Sequence, residues 1–178
     1  MNETAVDRIY GEYRDTSLIL RNNGEISLGS AMDANSRKAL LLAAASHFES
    51  RITADVLAFC QEVVGQNTLV PAFVRNKAIS RQYHTWFQWR EDKATFFFSL
   101  FGPDFKGHMQ ELIKIDANLR DAIKDFMEVV RDRNRLVHED FATFSLEKTT
   151  DEIYAQYKSA LRFVDRIADE LRNCPAPR

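Results

Sequence analysis

Along most of this chain, apolar residues recur every three or four positions, the spacing that places them on one face of an α-helix. The longest such pattern follows Asn35 and Ser36, either of which can serve as an N-cap, and it stops at Gly65. The pattern predicts a first core helix of about eight turns. Its apolar face consists of Leu41, Ala45, Phe48, Ile52, Val56, Phe59 and Val63.

Two more long helices are predicted in the second half of the chain. One has Asn118 as its N-cap and ends at His138. The other begins at a capping box formed by Thr149 and Glu152. The apolar faces are Leu119, Ile123, Phe126, Met127, Val130 and Val137 in the first of these helices, and Ile153, Tyr157, Ala160, Leu161, Val164, Ile167 and Leu171 in the second.

Shorter elements connect the long helices. Residues 68–79 and 93–101 are each predicted to form a helix, the second with Asp92 as its N-cap. In the loop between the last two long helices, Phe141 and Phe144 are expected to pack onto the bundle, because large aromatic side chains seek burial.

Residues 1–35 are predicted to be an N-terminal extension. Residues 3–14 have the pattern of a short helix. Residues 18–20 and 26–28 are apolar and flank an Asn-Asn-Gly turn, which is typical of a β-hairpin. Residues 36–174 are predicted to form one all-α helical-bundle domain, since Gly and Pro are few and β-alternation is rare.

Composition narrows the class of protein. Of the 178 residues, 45% are apolar and 28% are charged, which is ordinary for a globular protein. The formal net charge of −2 argues against a protein that coats nucleic acid, although a few arginines can still form a local phosphate site. Cys60 and Cys174 have no metal-ligand spacing, and no segment resembles a signal peptide or a membrane span. We therefore expect a cytoplasmic protein in a reducing compartment.

Polar side chains interrupt the apolar face of the helix that ends at His138. Stepping 100° per residue from Val130, Arg133 lies at about −60° and Asn134 at about +40°, both within the face. His138 lies at its edge, at about +80°, and Arg131 lies further out, at about +100°. Burying a guanidinium or an amide without a partner costs several kcal/mol, so this placement requires a reason.

Two explanations remain open from the residues alone. Arg133 and Asn134 can brace the end of a helical bundle, with His138 favouring a helix C-terminus. Alternatively, these residues form a site that binds phosphate and transfers protons. A metal site is not indicated, because the four histidines are scattered and no pair of cysteines accompanies them. Trp86 and Trp89 are expected to pack in the core rather than to stack on bases.

The run from Arg133 through Asn134 to His138 resembles the Arg-x4–6-His signature of the HEPN (higher eukaryotes and prokaryotes nucleotide-binding) superfamily, including the Asn that follows the Arg. The layout of residues 36–172 resembles the RiboL-PSP branch of that superfamily. It has a long first core helix, a Phe-rich segment ending in Gly, the helix with the signature, and a capped final helix. Arg131 also satisfies the spacing, but the adjacent Asn favours Arg133 as the functional arginine.

The resemblance implies a metal-independent endoribonuclease that needs no cofactor and acts as a homodimer, with the signature helices of two protomers facing each other. His138 would exchange protons with the RNA 2′-OH and the leaving group, Arg133 would bind the phosphate, and Asn134 would orient His138. Arg131 could steer phosphate. Glu49, at the edge of the first core helix, could position an arginine, or it could extend into water.

The resemblance also implies a toxin or phage-defence effector that cleaves RNA and is controlled by an antitoxin or defence protein. The alternative is a non-catalytic helical module that binds RNA, a nucleotide or a protein through the same cleft.

Overall fold

The structure, a computed structural model, describes residues 3–91 and 93–175. Within this part of the chain the regular structure is helical and no β-strand occurs, so the predicted all-α fold is confirmed. None of the helices described there combines the length and apolar character needed to cross a bilayer. The α-helices are α1 (Ala5–Asn22), α2 (Ile26–Val64), α3 (Leu69–Val74), α4 (Thr95–Ser99), α5 (Pro103–Ile115), α6 (Ala117–His138) and α7 (Thr150–Asn173), with a π-helical turn at Arg75–Ile79 and a 3-10 turn at Tyr83–Thr85.

The chain divides into two compact units. The first unit comprises the residues up to His47 together with Val129–Lys158, and the second comprises Phe48–Glu128 and the residues from Ser159 onwards. Helices α2, α6 and α7 each contribute residues to both units. As predicted, α2 is a long first core helix and the Arg-Asn-x-x-x-His run lies on α6, the helix before the last.

Helix α2 begins at Ile26, so the N-cap predicted at Asn35 or Ser36 is wrong, and the proposed boundary after residue 35 falls inside this helix. A helix tolerates cap-forming residues in its interior when its other side chains are buried, as Leu40 is here. The predicted end at Gly65 is confirmed. Gly65 has a φ of +61°, in the left-handed region that favours glycine at the end of a helix.

The β-hairpin predicted near the N-terminus is wrong. Residues 18–20 lie in α1 and residues 26–28 open α2, so Asn23 and Gly24 join two helices instead of two strands. The Asn23 N–H donates to the carbonyl of Ile19 (3.1 Å), and Gly24 has a φ of +73°. The same Asn-Gly sequence suits a hairpin turn and a helix terminus, because both need a residue at positive φ.

Side chains cap the helix that carries the Arg-Asn-x-x-x-His run and the helix after it. The predicted capping box of α7 is confirmed: the Thr149 N–H donates to Glu152 Oε2 (2.8 Å), and the Glu152 N–H donates to Thr149 Oγ1 (3.2 Å). The cap of α6 is Asp116, whose Oδ1 accepts a hydrogen bond from the Leu119 N–H (3.0 Å). The prediction of Asn118 is therefore wrong, because the first turn of α6 starts earlier than the apolar stripe indicates.

The two shorter predicted helices are present with different bounds. Residues 68–79 form α3 and the π-helical turn that continues it. Helix α4 is shorter than the predicted range of residues 93–101. The N-cap predicted at Asp92 lies outside the described residues.

Aromatic rings form the core of the second unit around Phe126 of α6, which is fully buried. Its ring centroid lies 5.4 Å from that of Phe48, 5.1 Å from that of Phe87 and 5.2 Å from that of Phe163. Tilted and edge-on pairs of this kind are the arrangements that aromatic rings prefer. Trp86 is also buried and its indole N–H donates to a backbone carbonyl (2.9 Å), so the predicted core role of Trp86 is confirmed.

Helix α1 is longer than predicted, and Asp7 ties it to α7 within the first unit. The Asp7 carboxylate accepts hydrogen bonds from the Tyr154 hydroxyl (2.7 Å), the Lys158 ammonium (3.2 Å) and the Thr4 N–H (2.8 Å). Burial raises the pKa of Asp7, but these hydrogen bonds outweigh it and hold that pKa well below its usual range. Burial and the Asp7 carboxylate together raise the pKa of Tyr154 to about 12.

Asp55 of α2, in the second unit, has a buried carboxylate oxygen (Oδ2) without a hydrogen-bond partner among the described residues. Burial raises the pKa of Asp55, although the charges of Arg51 and Arg172 lower it in part. A raised pKa means that the folded protein disfavours the ionised carboxylate. The charge therefore destabilises the fold at pH values above this pKa, and the penalty disappears as acid protonates the group.

We predict that Asp55→Asn stabilises the protein at pH 7, because the amide removes the buried charge. The melting temperature should rise by about 2–4 °C for each kcal/mol of penalty removed, as measured by circular dichroism. The gain should shrink as the pH is lowered towards 3.8, the ordinary pKa of Asp.

The matched control is Asp104→Asn, since Asp104 is exposed at the start of α5 in the second unit and is not among the charges that act on Asp55. No stabilisation is expected from this change. A lower melting temperature for Asp55→Asn than for the wild type at pH 7 would contradict the prediction.

Candidate functional site

The Arg-Asn-x-x-x-His run occupies the last turns of α6, in the first unit. Arg133 and Asn134 are half-buried, and Arg133 Nη1 donates a hydrogen bond to Asn134 Oδ1 (3.1 Å). His138 is the last residue of the helix and is exposed. No residue in the described part of the chain hydrogen-bonds or ion-pairs with its imidazole. The run therefore presents a guanidinium–amide pair and, one turn later, an imidazole that is open to solvent.

The apolar face of α6 differs from the prediction in its last turn. The periodicity predicts Val137 on this face, but Val137 is 45% exposed, whereas its neighbour Leu136 is fully buried. Two adjacent apolar residues lie 100° apart, and the periodicity alone cannot decide which of them is buried. Around the helix axis Leu136 lies about 60° from Arg133 but about 160° from His138. The buried face of α6 therefore extends on the side of Arg133. His138 is turned away from that side, which accounts for its exposure.

Arg131 and Glu49 are the remaining candidates from the sequence. Arg131 is half-buried and lies on α6 in the same unit as Arg133 and His138. Glu49 lies on α2 in the second unit, is exposed, and forms no ion pair with a residue in the described ranges. The first unit thus brings together Arg131, Arg133, Asn134 and His138 at one helix end.

Asp132 and Arg135, which flank the Arg133–Asn134 pair, contact the segment after α6. Asp132 Oδ2 pairs with Lys148 Nζ (2.9 Å). Arg135 Nε pairs with Glu139 Oε1 (3.4 Å), and its guanidinium carbon lies 5.3 Å from the centre of the Phe144 ring. These contacts link Asp132 and Arg135 to the loop. They distinguish Arg135 from Arg133, which contacts the side-chain amide of Asn134.

Lys38 and Arg37 of α2 hold the same segment, and neither was predicted from the sequence. Lys38 is 8% exposed, and its Nζ donates to the Phe141 carbonyl (2.6 Å) and lies 4.7 Å from the centre of the Phe141 ring. Arg37 Nη1 donates to the Leu146 carbonyl (3.1 Å). An indication was present in the sequence, since Lys38 precedes Leu41 by three residues and so lies on the apolar face of α2.

The two phenylalanines of this segment have different surroundings. Phe144 is buried, as predicted, but Phe141 is 51% exposed, so that part of the prediction is wrong. The ring of Phe141 packs against the ammonium of Lys38 instead of entering the core. Phe141 and Val137 consequently leave apolar surface exposed on either side of His138 in the sequence.

The helix end offers two kinds of chemistry. The Arg133 guanidinium can bind a phosphate through parallel hydrogen bonds, and the His138 imidazole can accept or donate a proton. Among the described residues, no group of three or more His, Cys, Asp or Glu side chains could hold a metal ion.

Comparison with protein-family models found that the RiboL-PSP-HEPN model matches residues 12–173 of this chain. The matched region begins within α1 and includes all of α2 to α7, so it extends further towards the N-terminus than the resemblance visible in the sequence. Comparison with curated proteins and with solved structures found no match.

We predict that Lys38→Met loosens the segment after α6. Methionine keeps an apolar stem of similar length but removes the ammonium that binds the Phe141 carbonyl. Amide hydrogen exchange at Thr143 and Phe144, whose N–H groups close the turn, should become about fivefold faster, as expected for loss of a contact of about 1 kcal/mol.

Lys158→Met is the control, because it removes an ammonium that pairs with Asp7 elsewhere in the first unit. Exchange at Thr143 and Phe144 should stay at the wild-type rate in this variant. Unchanged exchange at these amides in Lys38→Met would show that Lys38 does not hold the segment.

Proposed function

The chain belongs to the RiboL-PSP-HEPN family, and we propose that it is a metal-independent endoribonuclease whose active site is completed by two copies of the chain. Membership of this family supports a protein that cleaves or binds RNA. The residues at the end of α6 motivate the more specific proposal of a metal-independent enzyme with a shared active site.

The observation that carries the proposal is the exposed imidazole of His138, one turn after the Arg133–Asn134 pair. An imidazole can act as either an acid or a base in proton transfer. Asn134 Oδ1 accepts a hydrogen bond from Arg133. In our proposal Asn134 therefore orients the guanidinium, which is a different role from the orientation of His138 that the resemblance implies.

The proposed reaction needs a base and an acid at one phosphodiester. One His138 removes the proton of the 2′-OH, O2′ forms a bond to the adjacent phosphorus, and the P–O5′ bond breaks. A second His138 donates its proton to O5′, so the products are a 2′,3′-cyclic phosphate and a 5′-hydroxyl end. Arg133 stabilises the charge on the non-bridging oxygens. The RNA supplies its own nucleophile, so the reaction requires neither a cofactor nor a metal-activated water.

One chain supplies one His138, so the acid and the base come from two protomers in this proposal. Val137 and Phe141, 45% and 51% exposed, provide apolar surface close to His138 in the sequence. Exposed apolar surface beside polar groups is typical of an interface. A twofold axis would bring the same end of α6 together from each copy. We therefore propose a homodimer in which these helix ends face each other.

We further propose that the enzyme acts in the cytoplasm as a toxin or phage-defence effector. Its substrate there would be cellular or viral RNA, and an antitoxin or another defence protein would control its activity. Cys60 and Cys174 are unpaired thiols, which fits a reducing compartment.

The second candidate function is a non-catalytic module that binds RNA, a nucleotide or a protein through the same surface. It is favoured by the net charge of −2 and by the contact of Arg133 with Asn134, which occupies one of the guanidinium donors. This alternative predicts binding without cleavage.

We predict that His138→Ala and Arg133→Ala each lower RNA cleavage by at least about 100-fold, because each removes a group needed at the reacting phosphate. Purified protein is incubated with single-stranded RNA and a chelator, and the products are analysed for a cyclic phosphate. Arg135→Ala is the matched control, since it removes the same charge from the same helix but contacts only the loop.

Arg135→Ala should retain activity. Full activity in His138→Ala would overturn the catalytic role of this residue. Retention of RNA by the wild-type protein without any cleavage would support the binding module instead.

We predict that a tandem dimer with one defective copy is inactive. Two chains are joined by a flexible linker, and one copy carries both Arg133→Ala and His138→Ala. A shared site that needs two imidazoles should lose at least about 100-fold in activity. Two independent sites would lose only half, which would argue against the composite site.

A further inference from the structure

The second unit contains a cavity of about 580 Å³ between α4, with the two residues that precede it, and the helices α5 and α6. Its floor is apolar: Phe98 and Ile123 are buried, and Ile113 is half-buried. Sites for small molecules in proteins have volumes of roughly 300–1,000 Å³ and predominantly apolar walls. The cavity is therefore large enough to hold one flat ring system.

Cationic side chains line the opening of the cavity. Lys93, Arg120 and Lys124 are exposed, and none of their side chains forms an ion pair or hydrogen bond with a residue that the structure describes. Arg120 and Lys124 are one turn apart on α6, so they lie on the same side of the helix. Lys114 adds a fourth cation, which pairs with a neighbouring glutamate (2.5 Å), and Asp121 is the one carboxylate of the lining. This excess of positive charge, in a chain whose net charge is −2, favours an anionic ligand.

The rest of the wall offers hydrogen-bonding groups. They are the hydroxyl of Thr95, the amide of Gln110 and the carboxylate of Asp121. These groups can present both donors and acceptors to the edge of a nucleobase. A purely aliphatic anion would fill the floor but would leave the polar groups without partners, at a cost in free energy. The lining thus favours a flat ring with a polar edge and an attached anionic group.

We propose that this cavity is a subsite for single-stranded RNA, with one base on the apolar floor and the adjacent phosphates on the cationic rim. The choice of RNA as the ligand rests on the proposed function. A base can enter such a cavity only when it is neither paired nor stacked, so the subsite selects single strands over duplexes. It contributes affinity and strand selection, and it takes no part in proton transfer.

The binding test uses full-length His138→Ala protein, so that the RNA stays intact, and a fluorescent single-stranded oligonucleotide followed by anisotropy at several salt concentrations. Adding Arg120→Gln and Lys124→Gln should lower the affinity at least about tenfold. The negative slope of log affinity against log salt should become shallower by about 1.4, which corresponds to two lost phosphate contacts.

The matched control carries Arg75→Gln and Arg90→Gln, two exposed arginines of the second unit that do not line the cavity. This variant has the same change in net charge and should lose little affinity. Equal losses in the two double variants would reveal a general charge effect and would overturn the subsite. Competition by a free mononucleotide supports the subsite. Competition by inorganic polyphosphate as strong as by RNA would overturn it, because polyphosphate carries no base.

A duplex of the same sequence provides the test of strand selection, and binding equal to that of the single strand would also overturn the proposal. Unchanged melting temperatures establish that the variants are folded. In the otherwise wild-type protein, Arg120→Gln with Lys124→Gln should raise KM at least about tenfold and leave kcat within about twofold. If the wild-type protein does not cleave RNA, the proposed ribonuclease activity is contradicted. The binding measurement still tests the RNA subsite, because it does not depend on cleavage.

Discussion

The burial of Val129 and Leu136 sets which side of the last turns of α6 faces the interior of the first unit, and the exposure of the candidate site residues follows from it. Both side chains are fully buried, and at 100° per residue they lie within about 20° of each other. Arg133 lies about 40° from the direction of Val129, whereas His138 lies about 180° from it. Arg133 is accordingly half-buried and His138 is exposed. The packing of these two aliphatic side chains therefore turns the guanidinium inwards and the imidazole towards solvent.

Ionisable side chains that form ion pairs within the protein differ from those that form none: the first hold the fold, whereas the second are available for a ligand. In the first unit, Asp132 and Arg135 are occupied by the loop after α6. In the second unit, Arg166 bridges Asp116 and Glu170 at distances of 2.7 and 2.8 Å, so these charges stabilise helix ends. Other ionisable groups have no such partner among the described residues, namely His138 at the end of α6 and the cations Lys93, Arg120 and Lys124 around the cavity. Exposed and unpartnered groups of this kind can bind or react with an anionic substrate without first breaking an ion pair.

Periodicity predicted the long helices well, because one face of each is buried over many turns. It failed where neighbouring residues offered equivalent choices. Leu136 and Val137 are both apolar, and contacts with other helices decided that Leu136 is buried. Asn23 and Gly24 suit a hairpin as well as a helix terminus. Lys38 was missed because its partner, the Phe141 carbonyl, is a backbone group more than a hundred residues away.

The sequence by itself determined the all-α class, the long helices and the relative positions of Arg133, Asn134 and His138, because helix geometry converts spacing directly into angle. The tertiary structure decided which of these residues is buried, that Asn134 contacts Arg133, and that α2 holds the segment after α6. It also decided that residues from three separate segments line one cavity in the second unit. The physical reason is that exposure and partners depend on contacts between distant parts of the chain, which local spacing does not encode.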